Sequence, residues 1–521
     1  MDLLPEELLA DILRRLPPRP LAVCRSVSKG LRAAIDGRGI LAALAHRIPR
    51  SLRGIFVNCV DQESPCFFSW IENAAPLIDG ELSSLGPVSN RWREVVHHCN
   101  GLLLSLEDEK RLYVYNPATR RWAQLPPRPK GFGHAEHLVF DPTVSLHYEV
   151  ISFAEAPRKP IPIQPDIEWE SWLQGCSEYT IGEIKKLPAA LRAKYDREAE
   201  REGSVEWPPS SYAAQVFSSR SGQWEERAYI REGDVAATLN DVWSDPWGLE
   251  PTCEAPRYNA VCWRGAFYLH CHGGFVMRLS RLEHKYQVIK TPRLDNIFTR
   301  PRLDVDEFLR EYEPYMDKEA CLIQLVREQE LLDNMKPSMH LGKSEHGIYY
   351  TALLCQQLQV WVLHEVSESR PILEWELKHK ADLRPSFLQH YYMREDRENI
   401  ETTWELDCGE EGSNDQLDYG WDSSDDSVIN VKGEEGVNIG GRHFGIRDGM
   451  DFLGYHPRKE IAFLGNGFDG FVYYLGSTKL QYLGTFYPAQ CRDRQETCES
   501  YIYTPCMDDL LPDERNTTHA W

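Results

Sequence analysis

The sequence predicts an α+β multidomain chain: a small helical head, then a mainly-β body carrying helical and acidic insertions. Three observations carry that prediction. Apolar residues recur at helical spacing over roughly the first 45 residues, and beyond them the pattern shifts towards period two. Several body segments also repeat one order: strand, polar turn, strand, then an aromatic past another turn. At 521 residues the length fits about three domains, or one small domain beside a large repetitive one. The boundaries read as a head over 1–48, a β body over 49–490 and a C-terminal tail over 491–521. Insertions fall at about 164–206, 300–340 and 394–440.

In the head, Leu8, Leu9, Ile12, Leu13 and Leu16 form one apolar stripe. Pro5 suits a first helical position, Glu6 and Glu7 lie in the first turn, and Arg14 and Arg15 complement the dipole at the far end. Pro17-Pro18 stops this helix. A second helix is expected from Pro20, with Leu21, Cys24, Val27, Leu31 and Ile35 on one side, ended by Gly37 and Gly39. So small a unit cannot bury all these leucines alone. It is either a hairpin packed on the body or a module completed by a partner helix.

In the body, Gly101 to Leu106, Leu112 to Tyr115 and the turn Asn116-Pro117-Ala118-Thr119 read as antiparallel strands with tight connections. Comparable groups return at Leu138 to Phe153, Tyr212 to Tyr229, Tyr258 to Ile289, Gly347 to Leu377 and Phe452 to Tyr487. Tyr115 and Phe217 are each followed seven residues later by a tryptophan, Trp122 and Trp224. Five or six such units fit a β-propeller; a large β-sandwich or two stacked β domains are the alternatives. Glu183 to Arg201 and Val305 to Met335 (Phe308, Leu309, Leu322, Leu325, Leu331) read as helical insertions. Arg394 to Glu435 holds fifteen Asp/Glu against three Lys/Arg, so it is expected to be a solvated loop. Within it, Ser423 stands three residues before Asp426, a setting that acidophilic kinases favour.

Two stretches resemble a known family. Leu4-Pro5-Glu6-Glu7-Leu8-Leu9-Ala10-Asp11-Ile12-Leu13-Arg14-Arg15-Leu16-Pro17 looks like the opening of an F-box, the motif that docks on the Skp-type adaptor of cullin–RING ubiquitin ligases. Cys24-Arg25-Ser26-Val27-Ser28-Lys29 resembles its second half. The resemblance implies an adaptor contact made by Leu4, Pro5, Leu8, Leu9, Ile12, Leu13, Leu16 and Pro17, supported by Leu21, Val27 and Leu31. The family usually has Trp where this chain has Leu31, and Gly30 costs the helix about 1 kcal/mol relative to Ala. Weaker adaptor affinity is therefore expected. His98-Cys99-Asn100-Gly101-Leu102-Leu103-Leu104, with Val114-Tyr115-Asn116-Pro117-Ala118-Thr119-Arg120-Arg121-Trp122, is similar to plant F-box-associated, kelch-like propeller domains. The turn and Trp122 read as structural.

Charge and chemistry narrow the function. Residues 1–53 carry ten Lys/Arg and five Asp/Glu, net +5; with −22 in total, the rest of the chain carries −27. An acidic body argues against nucleic acid and against an anionic membrane. Met1-Asp2-Leu3-Leu4-Pro5-Glu6-Glu7 lacks a signal peptide's basic start, so an intracellular place, cytoplasm and/or nucleus, is expected. The run Ile348 to Leu363 is too short and too polar to span a bilayer. The fourteen scattered cysteines read as free thiols. His270-Cys271-His272, His97-His98-Cys99 and the trio Cys491, Cys498 and Cys506 lack zinc-ligand spacing. Gly465-Asn466-Gly467 has no following helix to cradle a phosphate. Together with the resemblance, this implies a non-catalytic substrate receptor of an SCF-type E3 ligase. It would use no cofactor and no metal, with the adaptor, through it a cullin–RING ligase, and a target protein as partners. A β-propeller carbohydrate-active enzyme and an F-box scaffold outside any ligase are the rival readings.

Overall fold

The computed structural model describes residues 52–157, 200–244, 260–312, 317–365, 373–387, 450–485 and 497–512 with short breaks, together with 197, 405–406 and head positions 9, 12–13, 24–25 and 27–37.

Apart from the short pair Glu206–Trp207 and Ala237–Thr238, the described body strands fall into six four-stranded units. The first pairs Gly54–Cys59 with Cys66–Ser69, flanked by Thr497–Tyr503 and by the short Glu405–Leu406. The second is Arg93–Cys99, Leu102–Glu107, Arg111–Asn116 and Arg121–Gln124. The third is Ala135–Val139, Glu149–Phe153, Ser211–Ser218 and Gln223–Glu232; the fourth is Ala260–Trp263, Ala266–Cys271, Phe275–Ser280 and Lys285–Lys290. Ser338–Ser344, Gly347–Leu354, Gln357–Glu365 and Leu373–Asp382 form the fifth. The sixth is Met450–Tyr455, Ile461–Asn466, Asp469–Tyr474 and Lys479–Thr485. Pairing within every unit is antiparallel. The third and fourth are joined into one eight-stranded sheet by a parallel pairing of Ile230, Arg231 and Glu232 with Lys285, Tyr286 and Gln287.

Six apolar cores lie between these units, and each is shared by two neighbours. Phe56 and Tyr503 meet Val95 and Tyr115; Leu102 and Leu104 meet Leu138 and Val150. Tyr212 and Val216 meet Phe267 and Met277; Tyr268 and Val276 meet Ile348 and Tyr350. Tyr349 and Val360 meet Phe452 and Leu464. The succession returns to its start where Leu453 and Phe463 meet Ile55 and Val57. Successive residues of a strand point to opposite faces, so Ile55 and Phe56, or Tyr349 and Tyr350, serve different cores. Interior strands such as Leu102–Glu107, Gly347–Leu354 and Ile461–Asn466 are buried along their whole length, because both of their faces meet another sheet.

Within the span expected as a tail, 491–521, one segment is a strand of the body. Thr497–Tyr503 lies beside the first body strand, with Gly54 opposite Tyr503 and Ile55 opposite Ile502. Cys506 and Leu511 are buried in the core between the second and third units. The hairpin Gly54–Ser69 has few strand neighbours close in sequence, so residues over 400 positions away complete its sheet. The helical insertion at 300–340 contains helices Val305–Tyr312 and Lys318–Asn334, and the Asp317 carboxylate caps the second by accepting from Ala320 N at 2.8 Å. Phe308 and Leu325 turn inward as expected, but Leu322 is on the exposed side with Ile323 and Val326. Most of 164–206, and the acidic loop apart from Glu405–Leu406, lie outside the described residues.

Candidate functional site

In the head, the described core consists of Leu13, Leu31, Ala34 and Ile35, with Leu9 and Cys24 half-buried against it. Among the described residues this core contains no body residue. Leu13 is 2% and Leu31 7% exposed, whereas Ile12 is 48% and Val27 70% exposed. The expected stripe therefore divides. Leu9, Leu13 and Leu31 hold the head together, and Ile12 and Val27 face outward. Leu4, Pro5, Leu8, Leu16, Pro17 and Leu21 lie outside the described residues.

The second helix also departs from the expectation of one continuous element. Cys24, Arg25 and Val27 are helical, Ser28 is not, and a new helix runs Lys29–Gly37. The Ser28 hydroxyl accepts from Leu31 N at 3.1 Å, the geometry of an N-cap. That break turns Val27 to a different side from Leu31 and Ile35. Serine followed by a helix-favouring run was the signal available in the sequence.

The motif stretch of the second unit is a fastening. Asn100 and Gly101 both have positive φ, +47° and +87°, as a two-residue hairpin turn requires. A Cβ on Gly101 would stand 2.4 Å from Cys506 N, so glycine admits the C-terminal segment there. Asn100 Nδ2 donates to Phe140 O at 2.7 Å, and Asn116 Nδ2 donates to Cys506 O at 2.9 Å. Asn116 Oδ1 also accepts from Ala118 N at 3.1 Å, shaping its own turn. The seven-residue spacing to tryptophan has a plain geometric origin. Trp122 lies directly opposite Tyr115 and Trp224 opposite Phe217, and their indoles donate to Ser84 O at 3.1 Å and Pro126 O at 2.9 Å.

Buried polar groups elsewhere serve packing. His97 Nδ1 accepts from Leu138 N at 3.2 Å, so Nε2 carries the proton and donates to Ala260 O at 3.0 Å. One imidazole thus ties the second, third and fourth units together. Burial holds it neutral, down to about 4, and holds His98 down to about 3 with help from the nearby His97 and Lys343. His270, also pushed down to about 4 by burial, meets the Tyr350 hydroxyl at 3.4 Å. Among the described residues no group of three His, Cys, Asp or Glu is placed to hold a metal ion, and no helix is long and apolar enough to cross a membrane.

Residues 1–42 match the F-box domain family. Three Arabidopsis thaliana proteins named as F-box proteins are similar to this chain. One is 28% identical over 187 residues, 33% of this chain and 50% of the relative. A second is 28% identical over 159 residues, covering 29% and 38%, and a third is 27% identical over 192 residues, covering 35% and 45%. The chain spans half or less of the length of each. A solved structure from a study of two prolyl endopeptidases aligns with 88% of this chain and 56% of its own at 10% identity, with a TM-score of 0.29, too low to bear on fold or function.

Proposed function

We propose that this chain, with an F-box domain at its N-terminus, is the target-recognition subunit of an SCF-type E3 ubiquitin ligase. The head docks on a Skp-type adaptor and through it on a cullin–RING assembly. The body is a six-bladed β-propeller of the F-box-associated, kelch-like kind, and it holds the protein to be ubiquitinated. The subunit needs no cofactor and no covalent step of its own. It contributes proximity, keeping a target lysine near the charged ubiquitin carrier.

The observation that carries the reading is the F-box match over 1–42 on a head whose described core is its own. That core leaves Ile12 and Val27 outside, where an adaptor helix would cover them. The cyclic order of six shared cores supports the propeller.

The test is titration of purified adaptor onto the full chain. A paired Ile12→Ala and Val27→Ala variant should lose at least about 2 kcal/mol of binding, roughly 30-fold in affinity. Its melting should match the parent's. Unchanged adaptor binding by this variant would remove these two side chains from the interface, and absence of binding by the parent would end the ligase reading.

A further inference from the structure

The described cysteines carry no disulfide, yet two of them, far apart in sequence, stand together where the second, third and fourth units meet. Cys99 ends the edge strand Arg93–Cys99, and Cys262 lies on Ala260–Trp263. The bond from His97 Nε2 to Ala260 O at 3.0 Å sets these strands in step, with each cysteine two residues further on. Cys262 packs against the same apolar core that contains Cys99. Each of the two side chains is the largest influence on the other's thiol, lowering that of Cys99 and raising that of Cys262.

The surroundings make the two sulfurs unequal. Cys99 Sγ donates to Phe140 O at 3.1 Å and lies close to Phe140 N, which donates to it at 3.4 Å. Lys343 Nζ donates to Cys262 O at 2.8 Å, so a fixed cation sits beside the pair. The Cys262 contact and Lys343 both favour a Cys99 thiolate, while burial and Asp141 oppose it; the Cys99 thiol falls to about 7. The Cys262 thiol is pushed well up, by Cys99 and by burial. Cys99 is buried and Cys262 half-buried, so the Cys262 side is the less enclosed of the two.

We propose that Cys99 and Cys262 are a redox couple that hydrogen peroxide converts to a disulfide linking the second unit to the fourth. The Cys99 thiolate attacks the peroxide, breaking its O–O bond and forming a sulfenic acid, with the second oxygen leaving as water after taking up a proton. The Cys262 sulfur then attacks the Cys99 sulfur, and the sulfenic hydroxyl departs with the Cys262 proton as a second water. Each disulfide consumes one peroxide, which is reduced by two electrons. The link closes covalently the junction that His97 closes by hydrogen bonds. It is independent of the head and of adaptor binding.

The experiment treats the folded full chain with hydrogen peroxide, followed by alkylation, non-reducing digestion and mass spectrometry. A Cys99–Cys262 cross-linked peptide that disappears on reduction is expected, along with a raised melting temperature that dithiothreitol reverses. Cys262→Ser should abolish the link and leave Cys99 trapped as a sulfenic acid that dimedone labels. Cys355→Ser should form the link normally. Equal alkylation of both thiols before and after peroxide would overturn the proposal, as would a link that forms only in denaturant. The parent chain alone decides between these outcomes, even if Cys99→Ser fails to fold.

Discussion

Head and body solve the burial problem in opposite ways. The described head core comprises four buried side chains and leaves Ile12 and Val27 uncovered. Each body unit would be equally incomplete alone, but both of its faces are covered by its neighbours, and the series closes on itself. A short helical unit has too little surface to enclose its apolar residues, whereas a ring of sheets has no exposed face left at either end. Truncating a side chain in the body should therefore be read in stability, and truncating an outward one in the head should be read in affinity.

The largest expected effect breaks the ring. Ending the chain at residue 490 removes Thr497–Tyr503 from the first sheet and Cys506 and Leu511 from a core. Without them the body should lose its cooperative calorimetric transition. A truncated chain that melts like the parent would show that closure contributes nothing.

Next in size is the buried ion pair. Arg93 Nη2 lies 2.9 Å from Glu107 Oε1 with both side chains enclosed, and the Tyr113 hydroxyl donates to Glu107 at 3.2 Å. Glu107→Ala should cost about 3–5 kcal/mol in denaturant unfolding, because it leaves the guanidinium buried without its counter-charge. A loss below about 1 kcal/mol would mean that water reaches Arg93.

Acid should act on the body through its buried imidazoles. His97 is neutral in the fold down to about pH 4 but takes up a proton near 6.5 when unfolded. Its contribution is present above about 6.5 and is lost as the pH falls towards 4, roughly 3 kcal/mol for this one group. Denaturant midpoints measured from pH 7.5 down to 4.5 should fall, and a His97→Asn variant should show a shallower dependence. An identical slope in parent and variant would rule out His97 as a source.

The smallest effect sharpens the head side of the comparison. Gly30 lies in the helix Lys29–Gly37 with open space where a Cβ would stand. Gly30→Ala should stabilise the head by about 0.5–1 kcal/mol, raising helicity by circular dichroism without touching the body. A destabilised head would show that this helix end needs glycine's freedom.

Much of this organisation was legible along the chain. Helical spacing in the first residues, the turn residues Asn100-Gly101 and Asn116-Pro117, and the tryptophan seven positions after a strand-ending aromatic are local signals. Local hydrogen bonds and cross-strand pairs answer to them directly. Alternation was weaker evidence. It survives on outer strands such as Leu373–Asp382 but vanishes in Gly347–Leu354, where two neighbouring sheets bury every residue. The split of the head stripe was legible only in part, since Ser28 could be read as a cap but not as the break that turns Val27 outward.

The sequence by itself determined the helical head, the strand and turn grammar of the body, and the residues on which the resemblance rests, because each depends on neighbours a few positions apart. Only the tertiary structure decided that residues 497–503 complete the first sheet, that two units fuse through a parallel edge, and that Cys262 packs against the core that contains Cys99. The longest of those contacts join positions separated by 163 to more than 400 residues. Burial of both faces of every sheet selects such partners, and no short-range pattern encodes that condition.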